Sequence, residues 1–200
     1  MLISVAIPTI LTLDKISALI DHIKKQARGK IEVVVSSSDG STAYNRNRCL
    51  DQAKGDIIIM VDDDIENIPE GFDLTIAEYL KNKKTLIVGA RLMNVDGTVQ
   101  KTSTFNMDTK PEFVEVKTIP GAFIGFRKTD LMFDENFRAW GYEDTDFCKQ
   151  LLNENPEGRF IVVNGLQVTH RNEEKRKNVA VAENGQYFFQ KWNKRKNNTV

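Results

Sequence analysis

The sequence predicts an α/β fold with a mostly parallel central sheet and helices on both faces. Three observations point there: short apolar segments of strand length, amphipathic segments of helix length between them, and a βαβαβ order over the first sixty or so residues. Leu2-Ile3-Ser4-Val5-Ala6-Ile7 is apolar and β-rich, and Pro8 is expected to end it. Asp14 is expected to cap a helix in which Ile16, Leu19, Ile20 and Ile23 recur on one face. The next strand is Ile31 to Val35, followed by the polar loop Ser36 to Ser41. A helix from Ala43 to Lys54 stops at Gly55, and Asp56 to Val61 forms a third strand.

Beyond Glu66 the pattern predicts a helix over 70–81 and a strand over 85–90. Val95-Asp96-Gly97-Thr98 reads as a hairpin turn, and Phe113–Val116 and Ala122–Phe126 as strands of a smaller, mixed portion. A further strand covers Phe160–Val163 and continues in a short segment to Val168, and the Lys-, Arg- and Asn-rich tail from Lys191 to Val200 is expected to be loose. Two hundred residues with 40% apolar content fill one core, so the expectation is a single domain, 1–200. Within it, 1–105 would bind a nucleotide and 106–200 would receive an acceptor.

Lys plus Arg and Asp plus Glu each number 28, so net charge gives no general attraction to nucleic acid or membranes. Cys49 and Cys148 both fall in helical patterns, which fits reduced thiols and a cytoplasmic protein. Met1 to Thr9 carries no basic leader, and no apolar run reaches membrane-spanning length, so the expectation is a soluble, unexported chain without an integral membrane segment.

Asp62, Asp63 and Asp64 follow the third strand directly, which delivers three carboxylates to the edge of the sheet where ligands bind in open α/β folds. Mutual repulsion of adjacent carboxylates is relieved by protonation, solvent or a cation, and oxygen ligands suit Mg²⁺ or Mn²⁺. A solvated acidic loop is the plain alternative. Trp140-Gly141-Tyr142-Glu143-Asp144 sets aromatic surfaces and a glycine before an acidic helix start. Those acids suit a helix dipole, and equally a general base beside a sugar-binding platform. His170, at a strand end, is a candidate to complete a metal site with Asp64, whereas His22 lies in an amphipathic helix and receives no role.

Taken together these residues resemble the family 2-like inverting glycosyltransferases of GT-A fold, the Rossmann-like nucleotide-diphospho-sugar transferase fold. Ile7-Pro8-Thr9, Asp39-Gly40-Ser41, Arg46-Asn47, Val61-Asp62-Asp63-Asp64 and Trp140-Gly141-Tyr142-Glu143-Asp144 stand in the family's order. The last is similar to the Trp-Gly-Gly-Glu-Asp element of the galactosyltransferase and polypeptide-sugar-transferase branches, and His170 stands where that branch has its metal-binding histidine. The resemblance implies transfer of a sugar from a nucleoside-diphosphate donor, UDP first among them, with Mn²⁺ or Mg²⁺ as cofactor. Asp64 and His170 would hold the cation. Pro8, Thr9, Asp39, Arg46, Asn47, Asp62, Asp63 and Trp140 would line the donor site, with Asp39 on the base and Asp62 on the ribose or a metal-bound water. Asp144 would take the acceptor proton and Glu143 would orient the sugar or acceptor. Ser38 departs from the second aspartate many members carry, and Tyr142 from the second glycine.

The acceptor stays open among a saccharide, a lipid-linked sugar and a modified nucleic-acid base. Basic residues at Arg171, Lys175, Arg176, Lys177, Lys191, Lys194, Arg195 and Lys196 are able to contact phosphates or to form a solvated surface. A sugar nucleotidyltransferase would need a glycine-rich basic loop after the first strand, which Pro8-Thr9-Ile10-Leu11 does not supply. A non-catalytic nucleotide-sugar-binding module would be marked by loss of Asp64, Glu143, Asp144 or His170, and all four are present.

Overall fold

A computed structural model describes residues 1–100, 110–171 and 180–197. The elements run β1 (Ile3–Thr9), α1 (Leu13–Gln26), β2 (Ile31–Ser37), α2 (Thr42–Gln52), β3 (Ile57–Val61), β4 (Ile65–Glu66), α3 (Phe72–Leu80) and β5 (Thr85–Met93). There follow β6 (Phe113–Val116), β7 (Phe123–Arg127), α4 (Glu143–Glu154), β8 (Arg159–His170) and α5 (Ala180–Asn197). The strands form one sheet of order β2-β1-β3-β7-β5-β8-β4, with β6 also paired to β8. β1, β2, β3, β5 and β8 share one direction, while β7, β4 and β6 run against them.

Alternation along the strands divides the core between the two faces. Ile3, Val5, Ile7, Ile57, Ile59 and Val61 pack with Ile16 and Ile23 of α1 and Phe72 and Ile76 of α3. Ala6, Ile58 and Met60 pack on the other side with Cys49 and Leu50 of α2 and Phe147 and Leu151 of α4. Cys49 and Cys148 are buried free thiols within these helices.

Several expectations are corrected. Pro8 does not end β1, which continues in register through Pro8↔Ser36 and Thr9↔Ser37. Pairing with β3 has stopped at Ala6↔Met60, so β1 is an edge at this point and tolerates proline. Thr12 occupies the N-cap of α1, and Asp14 lies in its first turn. β8 is one strand from Arg159 to His170, and β4, too short for any periodic signal, is new. The tail is helical through Asn197, because α5 docks through Phe188 and Trp192 onto Phe137, with Tyr142 and Tyr187 against them. The expected hairpin is present: Asn94 N–H donates to Thr98 O at 2.8 Å, and Met93 bridges Val99. The expected boundary near 105, together with Lys175, Arg176, Lys177 and the last three residues, lies outside the described residues.

Candidate active site

β3 is apolar and buried throughout, so the chain leaves the core abruptly at Asp62. Asp62 N–H donates to Ala122 O at 2.8 Å and Ile65 N–H to Asp62 O at 3.3 Å, which turns the acidic segment back into β4. β4 then pairs with the end of β8, Ile65 opposite His170 and Glu66 opposite Thr169. This two-residue pairing is what carries His170 to the acidic turn. One ligand atom each of Asp62, Asp64 and His170 lies within 4.8 Å of the others, all three side chains being half-buried. His170 Nε2 is 3.3 Å from Asp64 Oδ2, and its Nδ1 is 3.0 Å from Gln100 Oε1. Two carboxylates and one imidazole, each partly exposed, make a donor set that fits a divalent cation.

Asp63 does not join this cluster. Its carboxylate accepts a short hydrogen bond from Thr9 Oγ1, which itself accepts from Leu11 N–H at 2.9 Å. Burial raises the Asp63 pKa and the neighbouring charges of Asp62 and Asp64 add to the rise, while the bond from Thr9 opposes it. The bond ties the acidic turn to the end of β1.

Arg46, on α2, is buried to 2% exposure and reaches two acids far away in sequence. Nη1 is 2.9 Å from Glu143 Oε1 and Nη2 is 3.4 Å from Asp62 Oδ1, and the guanidinium stacks over the Phe133 ring at 5.3 Å. Burial alone would lower its pKa, but Asp62, Glu143 and Asp144 outweigh that and raise it. Glu143 is pushed up to about 7, first by burial and then by the charge of Asp144, against the pull of Arg46.

Asp144 is half-exposed at the start of α4. Its Oδ2 accepts from Gly121 N–H at 3.1 Å and its Oδ1 from Thr145 N–H at 2.6 Å. The loop before it bends through positive φ at Ala139 (52°), Gly141 (102°) and Tyr142 (73°). Asn184 of α5 holds this loop: its Nδ2 donates to the carbonyls of Arg138, Trp140 and Gly141, and its Oδ1 accepts from Arg138 N–H at 3.0 Å. Trp140 keeps 38% of its surface exposed, whereas Tyr142 packs inward against Phe188 and the backbone at Gly185. Only the tryptophan therefore remains as a surface platform among the two aromatics read from the sequence.

The other expected donor residues divide. Asp39 is exposed at the tip of the β2–α2 loop, whose shape is held by Asn45 through Ser36 and Ser38. Pro8 lies buried in β1. Asn47 faces away from the acidic cluster, with both ends of its amide bonded to Phe133 backbone groups and its nitrogen also to Glu135. Lys191, counted among the basic residues of a solvated surface from sequence, is half-buried against Asp134 at 2.7 Å and Asp146 at 2.8 Å, and Arg171 pairs with Glu66 at 2.8 Å.

Gly121, Gln100, Asn45 and Asn184 were not legible as site residues. Pro120-Gly121 is a turn signal that marks a loop, but nothing in it announces contact with both Asp144 and Arg46. A Cβ at Gly121 would lie 2.4 Å from Arg46 Nη2, so any larger residue would have to displace the guanidinium from its place.

The solved structures similar to this chain carry the same architecture. S. aureus TarS 1-349 in complex with UDP superposes with a TM-score of 0.62 at 19% identity, over 84% of this chain and 60% of that one. Its complex with UDP-GlcNAc gives 0.62 and 19%, over 91% and 61%. GalNAc-T7 with UDP, GalNAc and Mn²⁺ gives 0.63 at 10% identity, over 94% and 47%. The chain thus spans about 60% of the length of TarS 1-349, and at these identities the likeness establishes the GT-A fold. No curated protein sequence matches the chain. The family model for glycosyl transferase family 2 matches residues 12–150, which takes in Asp39, Arg46, Asp62, Asp64, Glu143 and Asp144 and stops short of His170. That match covers more than half of the chain, so the protein belongs to glycosyl transferase family 2.

Proposed function

We propose that the protein transfers a glycosyl group from a UDP-sugar to an acceptor hydroxyl, with inversion and with a divalent cation bound at Asp64 and His170. The observation that carries this reading is the convergence of Asp62, Asp64 and His170 at the end of β3, the edge where open α/β sheets bind ligands. Family membership and the UDP complexes of TarS and GalNAc-T7 support a nucleotide-sugar donor. When bound, the cation offsets the charge that gathers on the departing diphosphate. Carboxylates suit Mg²⁺ and Mn²⁺ alike, and the imidazole tips the set toward Mn²⁺.

The chain's own groups divide the remaining work. Asp39, exposed and preceded by a loop fixed through Asn45, is the group for the nucleobase. Asp62, held by Arg46, faces the ribose or a cation-bound water. Trp140 offers a flat face to a sugar, and Glu143 orients sugar or acceptor through its contact with Gly141 N–H at 2.5 Å. Asp144 takes the proton of the acceptor hydroxyl as that oxygen attacks the anomeric carbon. Its orientation is fixed beforehand by Gly121 and Thr145, which leaves less to arrange when substrate binds. On this reading residues 1–105 supply most donor contacts and 106–200 face the acceptor, a saccharide, a lipid-linked sugar or a nucleic-acid base.

The test is a thermal shift with a panel of nucleoside diphosphates, with Mn²⁺ and with chelator, because a ligand that binds the folded state raises its apparent stability. Stabilisation by UDP that needs Mn²⁺ is expected. No response to any diphosphate would remove the donor site.

A further inference from the structure

We infer that Gln100 is a positioning residue for the cation site: it holds the proton of His170 on Nδ1 and so turns the Nε2 lone pair toward Asp64. The inference rests on the metal reading above and adds to it a residue with no role in that reading, on the arm that returns from the Asn94–Thr98 hairpin.

The hairpin is built to deliver this side chain. Asp96 accepts from Thr98 N–H at 2.9 Å and from its hydroxyl, Gly97 takes positive φ at 81°, and Gly97 N–H donates to Asn94 O at 2.9 Å. The returning arm then pairs with β5, and Gln100 N–H donates to Leu92 O at 2.9 Å. Leu92 is paired to Val168 and Met93 to Thr169, so the same ladder that fixes the end of β8 fixes Gln100 beside His170. Gln100 is buried to 7% exposure, an environment in which an amide without partners is costly. Its Oε1 lies 3.0 Å from His170 Nδ1.

An amide oxygen can only accept. With the amide oxygen turned to the ring, the hydrogen sits on Nδ1, and a neutral imidazole protonated there carries a lone pair on Nε2. That lone pair faces the Asp64 carboxylate at 3.3 Å. In this orientation Gln100 supports the tautomer that can ligate over the one in which Nε2–H would simply donate to Asp64. The arrangement is that of a ligating histidine whose second nitrogen is held by an outer partner, a contact whose loss typically weakens metal affinity by roughly 10–100-fold.

The experiment uses the full chain, Mn²⁺ alone as probe, and two variants. The chain has only two histidines, so nitrogen-detected imidazole spectra separate His170 from His22 with one His22→Gln control. In metal-free wild type, above the imidazole titration range, His170 is expected as the Nδ1–H tautomer. Gln100→Leu is expected to move the proton to Nε2 and to weaken Mn²⁺ binding by about 10-fold or more. Gln100→Glu, which still accepts from Nδ1–H, is expected to keep the tautomer and the affinity, and it separates a lost contact from a damaged fold. An Nε2–H tautomer in the wild type overturns the inference. So does Mn²⁺ affinity in Gln100→Leu equal to wild type. Wild-type protein that takes up no Mn²⁺ overturns the metal reading itself, and the role of Gln100 toward the cation with it.

Discussion

Arg46 and Glu143 form an ion pair at 2.9 Å, with side-chain exposures of 3% and 5%, although they stand 97 positions apart in sequence. Because Asp62 shares the same guanidinium, one fork ties α2 to the acidic turn and to the first residue of α4. Removing one partner of a buried pair costs about 3–5 kcal/mol when the other stays charged. Arg46→Met is expected to lose about that much, since it strands Asp62, Glu143 and Asp144 together. Glu143→Gln is expected to lose less, because Arg46 retains Asp62 and because a carboxyl whose pKa has risen to about 7 is already partly neutral near neutral pH. Urea midpoints of the two variants decide the order, and equal losses would contradict it.

Glu143 also sets a pH dependence. The folded state holds this proton more tightly than the unfolded chain, from an ordinary value of 4.5 up to about 7. Its contribution to stability therefore falls as pH rises from 4.5 through about 7. Wild type minus Glu143→Gln, measured by urea unfolding across that window, is expected to show the decline, and a flat difference would refute it.

For Asp144, replacement by Asn keeps the shape and the acceptor oxygen for Gly121 but removes the base. Turnover is expected to fall by about 10²–10⁴-fold. UDP affinity with Mn²⁺ is expected to stay near wild type, as calorimetry would read. Full activity in this variant would remove Asp144 from the role.

Asp64→Ala and His170→Ala are each expected to weaken Mn²⁺ and UDP binding together, and the double variant to lose less than the sum of the two, since both ligands serve one ion. Strict additivity in calorimetric titrations would argue that the two do not share a site.

Asn184→Ala would leave the Arg138, Trp140 and Gly141 carbonyls without the donor that now satisfies them. Arg138 and Trp140 are exposed, so water replaces part of the loss, and a fall in stability of about 1 kcal/mol, read as a lower melting temperature, is expected together with reduced turnover. Unchanged turnover beside a lower melting temperature would show that the loop keeps its shape without the clamp.

Acid should loosen α5. The bonds from Lys191, Asn136 and Tyr187 outweigh burial and hold Asp134 down at about 2. The stability it supplies is complete above the ordinary value of 3.8 and is lost as pH falls through about 2. Tryptophan fluorescence, to which Trp192 with its bond to Asp146 at 2.8 Å contributes, is expected to report the change in wild type, and Asp134→Asn, which lacks the titrating group, is expected to be less stable at neutral pH and to lose this acid step.

The first half of the fold was legible because β1, β2 and β3 are buried strands whose helices carry a periodic apolar face, and those patterns are local. The acidic turn was legible for the same reason: its carboxylates follow such a strand at once. What the sequence hid depends on distant pairing. Whether Asp63 or Asp64 turns toward His170 is decided by β4, two residues long, and by the hydroxyl of Thr9. Asn47 and Arg46 are adjacent on one helix, and only the tertiary packing sends one to Phe133 and the other to Glu143. The helical tail could not be read from its composition, because the charge on Lys191 is neutralised by Asp134 and Asp146, which come from elsewhere in the chain.

The insertion of β7 between β3 and β5 has a consequence for how the chain matures. β1, β2 and β3 find their mutual partners within the first sixty-one residues, but Ile59 waits for Gly125 and Val88 for the same residue from the other side. Until then β3 presents an unpaired edge of five buried apolar residues, a template for pairing with another nascent chain. Closure over so long a loop is slow relative to local helix formation. The interval between synthesis of Val61 and of Arg127 is therefore the period in which a chaperone has most to protect, and slowing translation within it should lower the yield of folded protein.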